Sequence, residues 1–150
     1  MSGLLRCLVG FAMVVGAVTP VAAQQPAPAG HIKTVSGTAA IVRAGGTVTA
    51  RPGDPIYATD TLRTSADGSI GVTLRDDTRV SLGPNSEVKV DRYVYSPGEG
   101  GLGMVLKFVR GVAVYVSGRM AKIAPDSIRL EAPSAIVGVR GTTVAIRVGD

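Results

Sequence analysis

The sequence predicts an all-β domain, and three observations predict it. Apolar residues alternate with polar ones at a period of two through most of the chain, as in Ile70, Val72 and Leu74, then Val80 and Leu82, then Val88 and Val90. These stretches are rich in Val, Ile and Thr, which suit a pleated surface, and they are bounded by Gly, Pro, Asn or Asp. No stretch carries a helical apolar stripe with an N-cap and a Gly stop; residues 117–127 offer one short helical turn, limited by Gly118 and Pro125.

Residues 1–23 read as a secretory signal. Arg6 supplies the positive region, Cys7 to Val18 the apolar stretch, and Val21-Ala22-Ala23 a small-residue cleavage site, which puts the cut after Ala23. The stretch is shorter than the roughly 20 apolar residues a bilayer helix needs, so no membrane span is expected once the leader is removed. Residues 24–30 form a Pro/Ala linker expected not to pack. The domain itself is assigned to residues 31–150.

Its strands follow one another from His31. Ile32 to Ser36 leads through Gly37 to Thr38–Arg43, and Thr47–Ala50 follows Gly45-Gly46. Pro52-Gly53-Asp54-Pro55 is a turn whose two prolines cannot donate to a ladder. Gly83-Pro84-Asn85-Ser86 separates Val80 and Leu82 from Val88 and Val90. The second half is more apolar, with Leu102, Met104, Leu106 and Phe108 on one face, then Val112, Val114 and Val116 after Gly111. Ile128 and Leu130, Ala135 to Val137, and Val144, Ile146 and Val148 complete the series. Inward residues recurring every six to ten positions, with few aromatics, favour a short β-solenoid or β-roll of stacked rungs; a β-sandwich or barrel is the alternative.

Two ends of this domain carry a resemblance. Gly53-Asp54-Pro55-Ile56-Tyr57-Ala58-Thr59-Asp60-Thr61-Leu62-Arg63-Thr64 resembles the opening signature of the FecR domain family. Ser69 to Leu74, Asp76-Asp77-Thr78 and Leu82 to Ser86 follow in the family's order. Val137-Gly138-Val139-Arg140-Gly141-Thr142-Thr143-Val144 resembles its closing motif. Two positions depart: Asp77 stands where the family turn carries Gly, so that turn is expected to differ or to carry mild strain, and Val144 replaces an aromatic residue. Well-known members join a cytoplasmic anti-sigma segment, a membrane helix and a periplasmic FecR domain. The resemblance implies that this chain corresponds to the periplasmic part alone, like the exported lone FecR domains.

Composition excludes several chemistries. One Cys and one His exclude a disulfide framework and a Cys/His zinc site, and removal of the leader with Cys7 is expected to leave no thiol for a Cys–His nucleophile. His31, at the junction of linker and first strand, reads as an exposed terminal residue. The acidic residues sit mostly beside Gly, Pro or Asn, where turns form. Asp76-Asp77 matches neither an EF-hand nor a calcium-roll repeat. No catalytic residue, metal site or cofactor is therefore expected. The net charge of +5 is spread over scattered Arg, with no basic run, and nucleic acid is not an expected partner.

The expectation is a periplasmic or secreted, non-enzymatic FecR-like scaffold that binds a protein partner of the cell envelope. Gly138, Arg140, Gly141 and Thr142 are singled out as a structural clamp or a partner contact, since the glycines permit a bulged path and Arg140 offers a planar fork. A free strand edge is expected over Thr142–Val148, because the chain stops there without a cap. Two alternatives stand beside it. One is a soluble co-sensor in iron-uptake sigma/anti-sigma signalling. The other is a polysaccharide- or peptidoglycan-binding module using Tyr57, Tyr93, Tyr95 and Tyr115 as stacking surfaces. The sequence sets no oligomeric state.

Overall fold

The computed structural model describes residues 20–23, 25–139 and 143–149. Among them twelve strands form one curled, largely antiparallel sheet, a half-barrel that does not close. In chain order they are β1 (Gly30–Ser36), β2 (Ala39–Arg43), β3 (Gly46–Thr49), β4 (Pro55–Ile56), β5 (Thr61–Thr64) and β6 (Ser69–Leu74). Then come β7 (Arg79–Leu82), β8 (Glu87–Ser96), β9 (Gly101–Val116), β10 (Ile128–Ala132), β11 (Ala135–Gly138) and β12 (Thr143–Val148). One short helix, α1 (Arg119–Ile123), lies between β9 and β10, inside the stretch expected to turn helically.

The all-β class holds. The stacked-rung detail does not. Rungs of a solenoid run in the same direction, whereas the ladders here are antiparallel, in the order β3-β2-β5-β8-β9-β7-β6-β1-β4. The cause is local: Ala44-Gly45 and Asp76-Asp77 reverse the chain in tight turns that fold β3 back on β2 and β7 back on β6. The spacing of six to ten residues that suggested rungs is the repeat of a strand and its turn. The parallel exception among the described residues is β9–β10, whose connection runs through α1. Met120 and Ala121 of that helix are buried against the core.

Gly111 does not separate two strands as its position suggested; it bends one. Residues before it pair with β8, from Ser96↔Gly101 to Glu87↔Arg110, and residues after it pair with β7 on one side and β12 on the other. β9 thus belongs to both halves of the sheet. Ile41, Leu62, Val88, Leu106 and Leu130 fill the core from one half, and Ile32, Val72, Val80 and Tyr115 from the other. The linker is shorter than 24–30. Ala29 is buried, its N–H donates to the Ile56 carbonyl at 2.6 Å, its own carbonyl accepts the Arg75 N–H at 2.9 Å, and Gly30 opens β1.

At the bend, Gly111 has φ +87°, and an added Cβ would stand 2.6 Å from the Asn85 carbonyl oxygen and against the Ser86 backbone. Gly45, by contrast, has open space around it. Gly111→Ala is expected to cost about 2–4 kcal/mol in urea unfolding, from left-handed strain and the clash together. Gly45→Ala should stay within about 0.5 kcal/mol.

Candidate functional site

Polar side chains buried within an apolar sheet are where chemistry would be sought, and here Asp60, Thr64, Asp76, Thr78 and Ser86 are all almost fully buried. Each has hydrogen-bond partners inside the fold.

Asp60 closes the loop after β4. Its carboxylate accepts the Tyr57 N–H at 2.9 Å and the Arg43 Nε–H at 3.1 Å, while Arg43 Nη2 donates to the Pro55 carbonyl at 2.7 Å. The same guanidinium lies 5.1 Å from the Tyr57 ring centroid. β2 is thereby tied to the β4–β5 loop by a planar fork that satisfies a carboxylate and a carbonyl at once.

Thr64 and Ser86 hold the corner beside Gly111. The Thr64 hydroxyl donates to the Gly83 carbonyl at 2.6 Å and accepts the Ser86 N–H at 2.9 Å. The Ser86 hydroxyl accepts the Val112 N–H at 2.9 Å and lies 3.0 Å from the Val112 carbonyl oxygen. A side chain thus replaces the ladder partner that β9 lacks where it turns.

Asp76 anchors the third cluster, in the turn between β6 and β7. Its carboxylate accepts from the Tyr93 hydroxyl at 3.0 Å, the Thr78 hydroxyl at 2.7 Å, and the N–H groups of Thr78 and Met120, both at 3.3 Å. Its own N–H donates to the Tyr93 oxygen at 3.0 Å, and its carbonyl accepts the Arg119 N–H at 2.7 Å. The start of α1 is thus fastened to a turn more than forty residues earlier. Asp77, beside it, has φ +66°, the left-handed conformation for which the family's Gly is suited, so the expected strain is present there. Its carboxylate meets Arg119 Nε at 2.9 Å on the surface. The carboxylate oxygens of Asp76 thus face protein donors, and the described residues hold no group of three or more metal-ligating side chains.

The four tyrosines do not form one stacking surface. Tyr93 and Tyr115 are buried, Tyr95 is half-buried against the core, and Tyr57 lies under Arg43. His31 is exposed on β1, as its position implied. Of the closing motif, Gly138 ends β11 and Val139 is buried, while Arg140, Gly141 and Thr142 lie outside the described residues. Sequence reasoning missed the pairing of Asp76 with Tyr93 and the role of Ser86. The available signal was a polar residue kept in register among buried apolar ones.

The surface divides into two unlike faces. Across β5, β8, β9 and β10 the outward charges compensate one another: Arg63–Glu87 at 3.2 Å, Arg110–Glu87 at 3.5 Å, Lys107–Asp91 at 3.4 Å and Lys107–Glu131 at 3.8 Å. Across β1, β6, β7, β12 and residues 111–116 there is no Asp or Glu. β12 forms the edge of that second face, pairing with β9 and no other strand among the described residues. Its inward Val144, Ile146 and Val148 are half-buried, and its outward Thr143, Ala145 and Arg147 are exposed.

What these observations define is an all-β domain in which Asp60, Thr64, Asp76, Thr78 and Ser86 are engaged in holding the fold. The family described as "FecR protein" matches residues 60–150, and the chain belongs to that family. Its members are regulators rather than enzymes, and its domain is typically periplasmic or envelope-associated. Neither the curated proteins nor the solved structures yield a match. No helix among the described residues is long and apolar enough to cross a membrane.

Two predictions follow from the Asp76 cluster. Asp76→Ala removes the acceptor of the buried Tyr93 and Thr78 hydroxyls and of two N–H groups, and should cost about 3 kcal/mol in urea unfolding, with Asp76→Asn retaining part of the loss. Burial raises the pKa of Tyr93, and the Asp76 carboxylate adds to it; burial likewise raises that of Tyr115, partly offset by the Ser117 and Thr78 hydroxyls. Tyrosines of the unfolded chain ionise near pH 10, releasing protons that the folded chain retains. Stability is then full below about pH 10 and declines as the pH rises beyond it. Unfolding midpoints measured from pH 8 to 11 should show this decline, and Tyr93→Phe should flatten it.

Proposed function

We propose that this chain is an exported, non-enzymatic FecR domain that binds a protein partner in the cell envelope by accepting a strand at β12. The observation that carries the reading is the contrast along one register. Tyr115 and Ala113 of β9 are fully buried, while Val144 and Ile146, directly opposite them on β12, stay half-exposed. A strand beside β12 would cover that row and satisfy the ladder groups of the edge. The leader at residues 1–23 supports export, and the internal hydrogen bonds of the buried polar residues support a binding rather than a catalytic role. Gly138, Arg140, Gly141 and Thr142 are in this reading a structural clamp, with a partner contact as the alternative.

Membership of a regulator family favours a second reading, that of a co-sensor in sigma/anti-sigma signalling, with the same edge receiving the signal. The polysaccharide reading keeps Tyr57 and Tyr95 at the surface, since Tyr93 and Tyr115 are buried.

A photo-crosslinking residue placed at Ala145 in the full chain, expressed in its own cells, should give a discrete protein adduct in the envelope fraction. The same residue at Lys89, on the compensated face, should not. Identical adducts from both positions, or none from Ala145, would count against the reading.

A further inference from the structure

The geometry points to a partner segment of defined chemistry: an extended strand in which apolar residues alternate with acidic ones. This inference rests on the reading of β12 as a docking edge and adds what the edge selects.

β12 is set apart from the other strand edges of the described residues. β4 has two residues and begins with Pro55. β3 is exposed along its whole length and offers no inward apolar row. β11 has four residues and ends in Gly138. β12 has six, in unbroken register with β9 from Thr143↔Val116 to Val148↔Gly111. It carries no proline, bulge or inward-pointing charge to blunt the edge, and its one charged residue is the outward Arg147.

The two rows of β12 set different requirements. A strand docked alongside sends alternate side chains to opposite faces. Those pointing inward would lie beside Val144, Ile146 and Val148 and continue the apolar core. Those pointing outward would lie beside Thr143, Ala145 and Arg147. Arg147 stands opposite Val112, and Arg79 lies two strands away opposite Val116. Neither has an ion-pair partner among the described residues, and the strands of this face carry no acidic residue. Arg147 also borders a shallow groove with Pro84, Asn85, Val112 and Val148, where a carboxylate could approach the guanidinium. On the opposite face Arg63, Arg110, Lys107 and Arg129 all meet carboxylates of this chain. Charge complementarity therefore selects an acidic occupant for this face in particular.

A second copy of the chain is a poorer occupant, because it would bring its own Arg147 and the same acid-free face to the junction. An anionic bilayer is poorer too: a planar surface laid on the outward row cannot reach the inward Val144, Ile146 and Val148.

The test uses the purified full chain and two synthetic eight-residue peptides. Both alternate Val or Ile with a charged residue, Glu in one and Lys in the other. Fluorescence anisotropy at low salt should show the Glu peptide binding about tenfold more tightly, since attraction in one case and repulsion in the other act together. Amide hydrogen exchange should show new protection at residues 143–148. Arg147→Glu, an exposed substitution expected to leave the fold intact by circular dichroism, should reverse the order, and Arg147→Gln should nearly abolish the preference. If both peptides protect β12 with equal affinity, the acidic specification fails while the docking edge stands. If neither binds, or if sedimentation shows the chain dimerising through β12, the docking edge for an acidic strand is itself overturned.

Discussion

A strand that serves two halves of a sheet has to change direction without leaving its backbone groups unsatisfied, and in this chain the change falls at Gly111. The positive φ there is open to glycine at little cost, and the close approach of Asn85 and Ser86 leaves no room for a Cβ. Ser86 completes the corner by offering its hydroxyl to Val112 in place of a neighbouring strand. Thr64 in turn fixes Ser86 through the reciprocal bonds of its hydroxyl and backbone. Without this corner β8 and β10 would have no common spine with β7 and β12, and the core between the two halves would be open.

The Asp60 and Asp76 clusters act at the rim of the same core. Each gathers donors from segments far apart in sequence around one buried carboxylate, so each fixes a loop by several bonds where an apolar contact would fix it by shape alone. A buried carboxylate surrounded by donors is costly to disturb, because loss of the acceptor leaves every donor unpaired. The family's conspicuous Asp, Thr and Ser positions are in this chain structural fasteners, which accounts for motif residues that carry no reactive arrangement. The surface is uneven beside them: one face is neutralised internally and the other, ending in β12, is not.

The period of two, the β-branched strands and the Gly and Asp turns were legible in the residues, because strand patterning and turn chemistry are local properties. So was the short helical turn at α1, and so was the family, through motifs quoted residue by residue. The direction in which strands pair was not legible. Inward residues recur at the same spacing whether a chain coils in rungs or folds back in hairpins, and the difference lies in contacts between residues distant in sequence. The tyrosines show the same limit: Tyr57, Tyr93, Tyr95 and Tyr115 look alike in a string, yet Tyr93 and Tyr115 are enclosed by the curl of the sheet.

By itself, then, the sequence determined an all-β FecR-family domain, since local pattern and the quoted motifs suffice for that statement. Tertiary structure alone decided that Gly111 bends a shared strand, that Asp76 is filled by Tyr93, Thr78 and Met120, and that the acid-free strands lie together beside β12, which pairs with β9 alone among the described residues. These are properties of which residues meet, and meeting is settled by the packing of the whole chain.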